Sequence, residues 1–199
     1  MNTICLEGIR VGSIETIVDV KSILGADDAF VVTEDKIRMI TRQAGLEGHY
    51  PFTGEPFWKV IFHVLTADRS AISSRVSEDY RQRYFAEFSQ CNSDLLPNER
   101  LEDLPAAACA EISKTLDAII EDKVLFIMKE GYVGLGQEGF EVTDVVGILV
   151  GGETPFAFRA SSVAGCGRFR FLSECYVHGV MDGELAGSFS KGYSRFSIE

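Results

Sequence analysis

Hydrophobic positions along this chain follow two different periods. From Val124 to Glu184, short apolar runs alternate with glycine-rich breaks: VLFIMKEGYVGLG, then DVVGILVGGETPFAFRA, then GRFRFLSECYVHGVMDGE. Each run has the length of a strand and is too short for a buried helix. Phe156 and Phe158 point one way and Arg159 the other, while Phe169 and Phe171 oppose Arg168 and Arg170. A period of two puts aromatic rings on a core face and guanidinium groups on the opposite one. These runs predict a compact antiparallel sheet curled toward a small barrel. At the N-terminus, Ile4, Leu6, Ile9, Val11, Ile14, Ile17 and Val18, with Gly8 and Gly12 as breaks, predict a strand or a short hairpin.

Between these regions the period lengthens. Thr33-Glu34-Asp35 reads as a helix start, with a hydroxyl N-cap and acids at the positive end of the dipole. Ile37, Ile40 and Ala44 follow at helical spacing, and Gly45 is a candidate C-cap. Thr53-Gly54-Glu55-Pro56 opens a second helix, where proline gives up no needed N–H. Its Phe57, Trp58, Val60, Ile61, Phe62, Val64 and Leu65 are apolar nearly all round, which predicts a buried element. A third helix starts at Ser77-Glu78-Asp79, a polar turn-rich loop spans 89–104, and a fourth helix runs from Pro105 through Ile120.

The expected fold class is therefore α+β. A helical N-terminal half, helix-rich over 21–122, packs on a small curled antiparallel sheet or barrel formed by the C-terminal third. Residues 1–20 and 123–184 are its β-rich part, and the tail 185–199, with Phe189, Tyr193, Phe196 and Ile198, docks. All 199 residues are expected to form a single domain.

Charge narrows the partners. The net charge of −11 at pH 7 leaves no basic stripe, so neither nucleic acid nor an anionic membrane surface is expected. No apolar run reaches the ~18 residues of a bilayer span, and the N-terminus lacks the pattern of a signal peptide. Five scattered cysteines fit reduced thiols, so a cytoplasmic protein is expected.

Recognisable chemistry is sparse. Gly134-Leu-Gly136-Gln-Glu-Gly139 matches G-x-G-x-x-G, but the strand-like FEVTDVVGILV follows where a phosphate-binding helix would have to start. A glycine-rich hairpin is expected there, and no cofactor. Cys175, His178, Asp182 and Glu184 lie close in sequence without a zinc spacing, and alternation sends Cys175 and His178 to opposite faces, so no metal is expected. His49, His63 and His178 sit in no nucleophile signature. The aromatic content, 11% of the chain, fits ordinary core packing or an apolar pocket with a few polar groups. In the pocket reading, Arg159, Arg168 and Arg170 could anchor a carboxylate.

Glu174-Cys-Tyr-Val-His-Gly-Val-Met-Asp-Gly-Glu184 resembles the closing motif of fungal heterokaryon-incompatibility (HET) proteins, G-E-C-Y-V-H-G-I-M-D-G-E. Gly131-Tyr-Val-Gly-Leu-Gly136 is similar to that family's G-Y-x-G-L-G-P. Asp144 to Gly152 with Pro155-Phe-Ala-Phe-Arg159 is similar to its G-D-x-V-x-V-L-x-G-G-x-x-P-x-x-L-R. The chain departs from the pattern at His63-Val64 (Arg-Thr in the family), Gln137 (proline), and Thr143 and Ser173 (glycine at both). The resemblance concerns the C-terminal region of these proteins. The signalling HET domain that lies N-terminal to it there is not among these residues, so its activity is not carried over.

The resemblance implies two functions of different kinds. Free-standing proteins similar to HET regions occur in fungal natural-product clusters, where one resembles a Diels–Alderase acting on a terpenoid. On that line the chain would be a cofactor-free pericyclase for a hydrophobic small-molecule substrate, acting by preorganisation. Tyr176, His178 and Arg170 would be the donors, and Trp58, Phe62, Phe169, Phe171 and Arg159 the binding residues. A bulge at Ser173 would reverse the alternation beyond it. The alternative is a non-enzymatic interaction or regulatory module of incompatibility signalling; a hydrolase with an acid pair is a third reading. A homodimer is compatible with any of them.

Overall fold

A computed structural model describes residues 3–24, 34–67, 119–162, 167–185, 187 and 193–199. The helix expected from Ser77, the 89–104 loop and most of the helix from Pro105 lie outside these residues. The chain divides into two compact units. One comprises Met1–Val18, Pro51–Thr53 and Asp122–Glu199, the other Asp19–Tyr50 and Gly54–Glu121.

The first unit is built on β1 (Ile4–Val18), β2 (Lys123–Met128), β3 (Val133–Gln137), β4 (Val145–Leu149), β5 (Pro155–Ala160), β6 (Arg168–Glu174), β7 (Tyr176–Val177) and β8 (Ser194–Ile198). These form one eight-stranded sheet. β1 pairs antiparallel with β8 through residues 4–8, with β4 through 8–13 and with β2 through 14–18. β4 pairs with β5 and β5 with β6, both antiparallel, and β6 returns to β8 in parallel register. The circuit β1-β4-β5-β6-β8-β1 thus closes on itself, which removes most of the exposed edge an open sheet would leave. β2, β3 and β7 extend from the far end of β1.

This arrangement corrects the expected α+β class. The chain opens with a 15-residue strand that holds three partners, and the sheet is not the product of the C-terminal third alone. Nor is it wholly antiparallel, because β6 and β8 run parallel. The N-terminal half does not read as helical: among the described residues, helices are confined to α1 (Val20–Leu24), α2 (Glu34–Gln43), α3 (Phe57–Thr66) and the turn at 119–120. The physical reason lies in Gly8 and Gly12. They do not break β1 but admit neighbours to it. A Cβ on Gly8 would run into the Ile148 carbonyl, and one on Gly12 into the Glu130 carboxylate.

Among the described residues two apolar clusters pack in the unit, one on each face of β4 and β5. Val146 and Ala157 join Val11, Ile14, Phe126, Met128, Phe140, Cys175, Val177 and Val180. Val145 and Phe158 join Phe196, with Leu149, Phe156, Phe169 and Ile198 packed around them. Both faces of these strands are thus used, so their sequence reads as near-continuous apolar runs. In the second unit, α2 ends as its sequence predicts. Gly45 has φ +67°, its N–H reaches the Arg42 carbonyl at 3.0 Å, and Leu46 N–H reaches Thr41 at 3.0 Å. α3 is buried from Val60 through Thr66, as an all-round apolar helix requires, and a left-handed Ala67 caps it.

Candidate functional site

The residues of the three motifs quoted above fall on β3, on β4 and β5, and on β7 with the turn after it. Arg159, on β5, is the centre of one polar cluster. Its Nε and Nη2 donate to the two oxygens of Asp144, each at 2.8 Å. Nη1 donates to Glu141 Oε1 at 2.7 Å and Nη2 also to the Gly139 carbonyl at 2.7 Å. The Asp144 carboxylate is only 2% exposed and accepts the Glu141 N–H as well, at 2.8 Å. A two-pronged, charge-assisted pair of this kind pins β5 to the turn that leads into β4. The hydrogen bond to Asp144 pushes the Arg159 pKa up, so the guanidinium is held charged.

Asp144 as the partner of Arg159 was the residue that sequence reasoning missed. The signal was the acid that opens the quoted G-D-x-V motif, whose second half ends in the arginine. Thr143, just before it, has φ +80°. A β-branched residue is strained there, and the family's usual glycine is not.

Tyr176 and His178 form a second polar cluster. β7 ends at Val177 and His178 opens the turn that follows, and the Tyr176 hydroxyl lies 3.0 Å from His178 Nδ1. Both residues are buried, at 7% and 5% exposure. Cys175 precedes them, with Sγ 3.7 Å from the Pro155 carbonyl and its N–H on the same oxygen at 2.9 Å. Burial, with a smaller contribution from Glu174, pushes this thiol's pKa up, which suits a core thiol and not a nucleophile.

The aromatic candidates meet in part. Phe158 stacks on Phe196 at 4.8 Å and makes edge contacts with Phe169 at 6.4 Å and Phe171 at 5.8 Å. Phe169 and Phe171 therefore share the face expected for them, and Arg170 stands across from Arg159. Phe158 pairs with Phe171 and Ala157 with Ser173, so Leu172 is the extra residue of a bulge. The bulge considered at Ser173 falls one position earlier. Arg170 is exposed, and Phe171 is 43% exposed. In the other unit, Trp58 lies under the Arg38 guanidinium at 4.5 Å, and Phe62 is fully buried in α3.

The G-x-G-x-x-G stretch is a packing device. β3 is followed by a turn and then β4, not by a helix. A Cβ at Gly134 would meet the Phe126 ring and the Tyr176 carbonyl, and one at Gly136 the Phe140 ring. No helix among the described residues is long and apolar enough to cross a membrane.

Fold and motif geometry together define a closed β-sheet unit held by an arginine–carboxylate clamp and glycine contacts. Residues 104–192 match the family model described as the Het-6 beta-barrel domain, so the resemblance to the C-terminal region of HET proteins is shown over that span. The match runs through β2 to β7; β1 and β8, which close the circuit, lie outside it. Neither a curated protein nor a solved structure matches the chain.

Proposed function

We propose that the chain is a non-enzymatic interaction module of the HET type, acting on a full-length HET protein in fungal incompatibility signalling. The observation that carries this reading is the use the fold makes of the motif residues. Gly134 and Gly136 admit aromatic rings, Asp144 and Arg159 clamp β5, and the Pro155 carbonyl receives Cys175. Asp182 N–H closes on Glu184 at 2.7 Å. A signature consumed in this way specifies a scaffold, and function on a scaffold falls to its exposed surface. The test is co-expression with a full-length HET protein in a fungal host, scored by the incompatibility response. The chain should alter the response and Phe171→Asp, folded by circular dichroism, should not. An unaltered response with the wild-type chain would sink the reading.

A second reading, a cofactor-free pericyclase on a hydrophobic metabolite such as a terpenoid, is favoured by the Tyr176–His178 pair. A buried hydroxyl held beside an imidazole is a donor of the kind that polarises an electron-poor alkene. Purified chain would be added to the intermediate that accumulates when its gene is deleted. An isomer of unchanged mass should form, and Tyr176→Phe should slow it by about 10²-fold. No acceleration over buffer rules the enzyme out.

A further inference from the structure

We infer that residues 19–121 are an insertion into a β-hairpin of the sheet unit, between β1 and β2, and that the helical unit they form opens without opening the sheet. This goes beyond the interaction-module reading and does not depend on it.

The register of β1 on β2 supplies the first part. Val18 stands opposite Leu125 and Ile17 opposite Phe126, so the strands are antiparallel neighbours up to the last residue of β1. Such neighbours are ordinarily joined by about two to five residues. Here the connection runs from Asp19 to Asp122 and contains α1, α2 and α3. Both of its ends carry turn chemistry. Asp19 Oδ1 accepts the Ser22 N–H at 3.2 Å and caps α1, so a helix begins where the strand stops. Asp122 has φ +60°, and its carbonyl accepts the Glu138 N–H at 2.7 Å, which fixes the return into β2. A chain that leaves and returns at adjacent points carries an inserted unit without disturbing the ladder.

Packing supplies the second part. Among the described residues, the two apolar clusters of the sheet unit draw on 11–17 and 124–198 and include no residue of α1, α2 or α3. The helices bury a set of their own. Ile37 and Ile40 of α2 and Val60, Ile61, Val64 and Leu65 of α3 are fully buried, and α2 packs on α3. Within 19–121, Pro51–Thr53 belongs to the sheet unit, where Phe52 stacks on Tyr132 at 3.9 Å. A single ring pair is small beside the two clusters, so its loss does not open the sheet. Separate interiors make separate cooperative units. The helical unit therefore melts on its own while the sheet, with Asp144 and Arg159, stays closed.

The test is a urea titration of the full chain, followed by pulsed hydrogen exchange with mass spectrometry. Residues 4–18 and 123–149 should share one midpoint, although the insertion separates them in sequence, and residues 34–66 should have another. Trp58, the single tryptophan, lies in α3 under Arg38 of α2, so its fluorescence should follow the second midpoint. Arg159→Met should lower the first midpoint by about 1 M or more and leave the Trp58 midpoint in place. Phe62→Ala, fully buried in α3, should do the reverse. Asp144→Asn is the milder sheet variant if Arg159→Met does not fold. A single midpoint that either substitution moves throughout the chain overturns the inference. So does a midpoint for residues 4–18 that follows 34–66 and not 123–149.

Discussion

At the scale of single residues, the chain departs most tellingly at Thr143 from the HET pattern it resembles. Its φ of +80° puts a β-branched side chain in a region where L-residues are strained. The turn is nonetheless fixed, because Thr143 N–H donates to the Ile14 carbonyl and Ile14 N–H to Asp144, both at 2.8 Å. Strain in the left-handed region costs about 1–3 kcal/mol, and part of its relief is offset by the greater entropy of an unfolded glycine. Thr143→Gly should therefore stabilise the protein by about 1 kcal/mol, a rise of about 2–4 °C in Tm by differential scanning calorimetry. A fall in Tm would show that the threonine side chain makes up for its own strain. Cys175 gives a second expectation. Its pKa is raised in the fold by burial, so the native state keeps a proton that the unfolded chain releases above about pH 8.5. This stabilising contribution is complete below that pH and declines above it, by at most about 1.4 kcal/mol per pH unit. Urea midpoints measured from pH 7.5 to 10 should drop less steeply in Cys175→Ala than in the wild type.

At the scale of elements, the sequence was most legible where one periodicity ruled. α2 with its glycine cap, the all-round apolar α3, and the aromatic alternation of β5 and β6 were readable because each obeys a single local rule. β1 was harder to place, because two glycines that look like punctuation serve close approach, and such approach depends on Ile148 and Glu130, far away in sequence. The clamp was half legible: Arg159 showed as a polar position in an aromatic strand, while Asp144, 15 residues earlier, could be chosen from many acids only in three dimensions. Its two halves should fail unequally. Arg159→Met strands a carboxylate that is 2% exposed, at a cost of about 3–5 kcal/mol. Asp144→Asn leaves a guanidinium whose side chain is 22% exposed and still reaches Glu141, so about 2 kcal/mol is expected. Urea denaturation of the two variants checks this order, and equal losses would mean that β5 is not held by the buried carboxylate.

At the scale of the whole sheet unit, closure decides which parts can open separately. β1 is bonded to β8, β4 and β2, so releasing it breaks three pairings together, and both apolar clusters lose cover with it. Motions of that extent coincide with global unfolding. The 170–174 stretch of β6 has β5 on one side and none of the described strands on the other, and β7 pairs through two residues alone. Native-state hydrogen exchange should therefore be slowest at the bonded amides of residues 8–14, with an opening free energy equal to that from denaturation. Exchange at 170–174 should be faster by at least 100-fold, which corresponds to about 2.7 kcal/mol. A uniform exchange rate around the circuit would mean that the sheet opens as one unit. A gradient in the expected sense places the more open strand where Arg170 and Phe171 lie, and leaves Gly134, Gly136, Asp144 and Arg159 in the part that stays closed. The clamp and the glycine contacts thus sit where the sheet is most heavily cross-bonded, and local opening is confined to strands with fewer partners among the described residues.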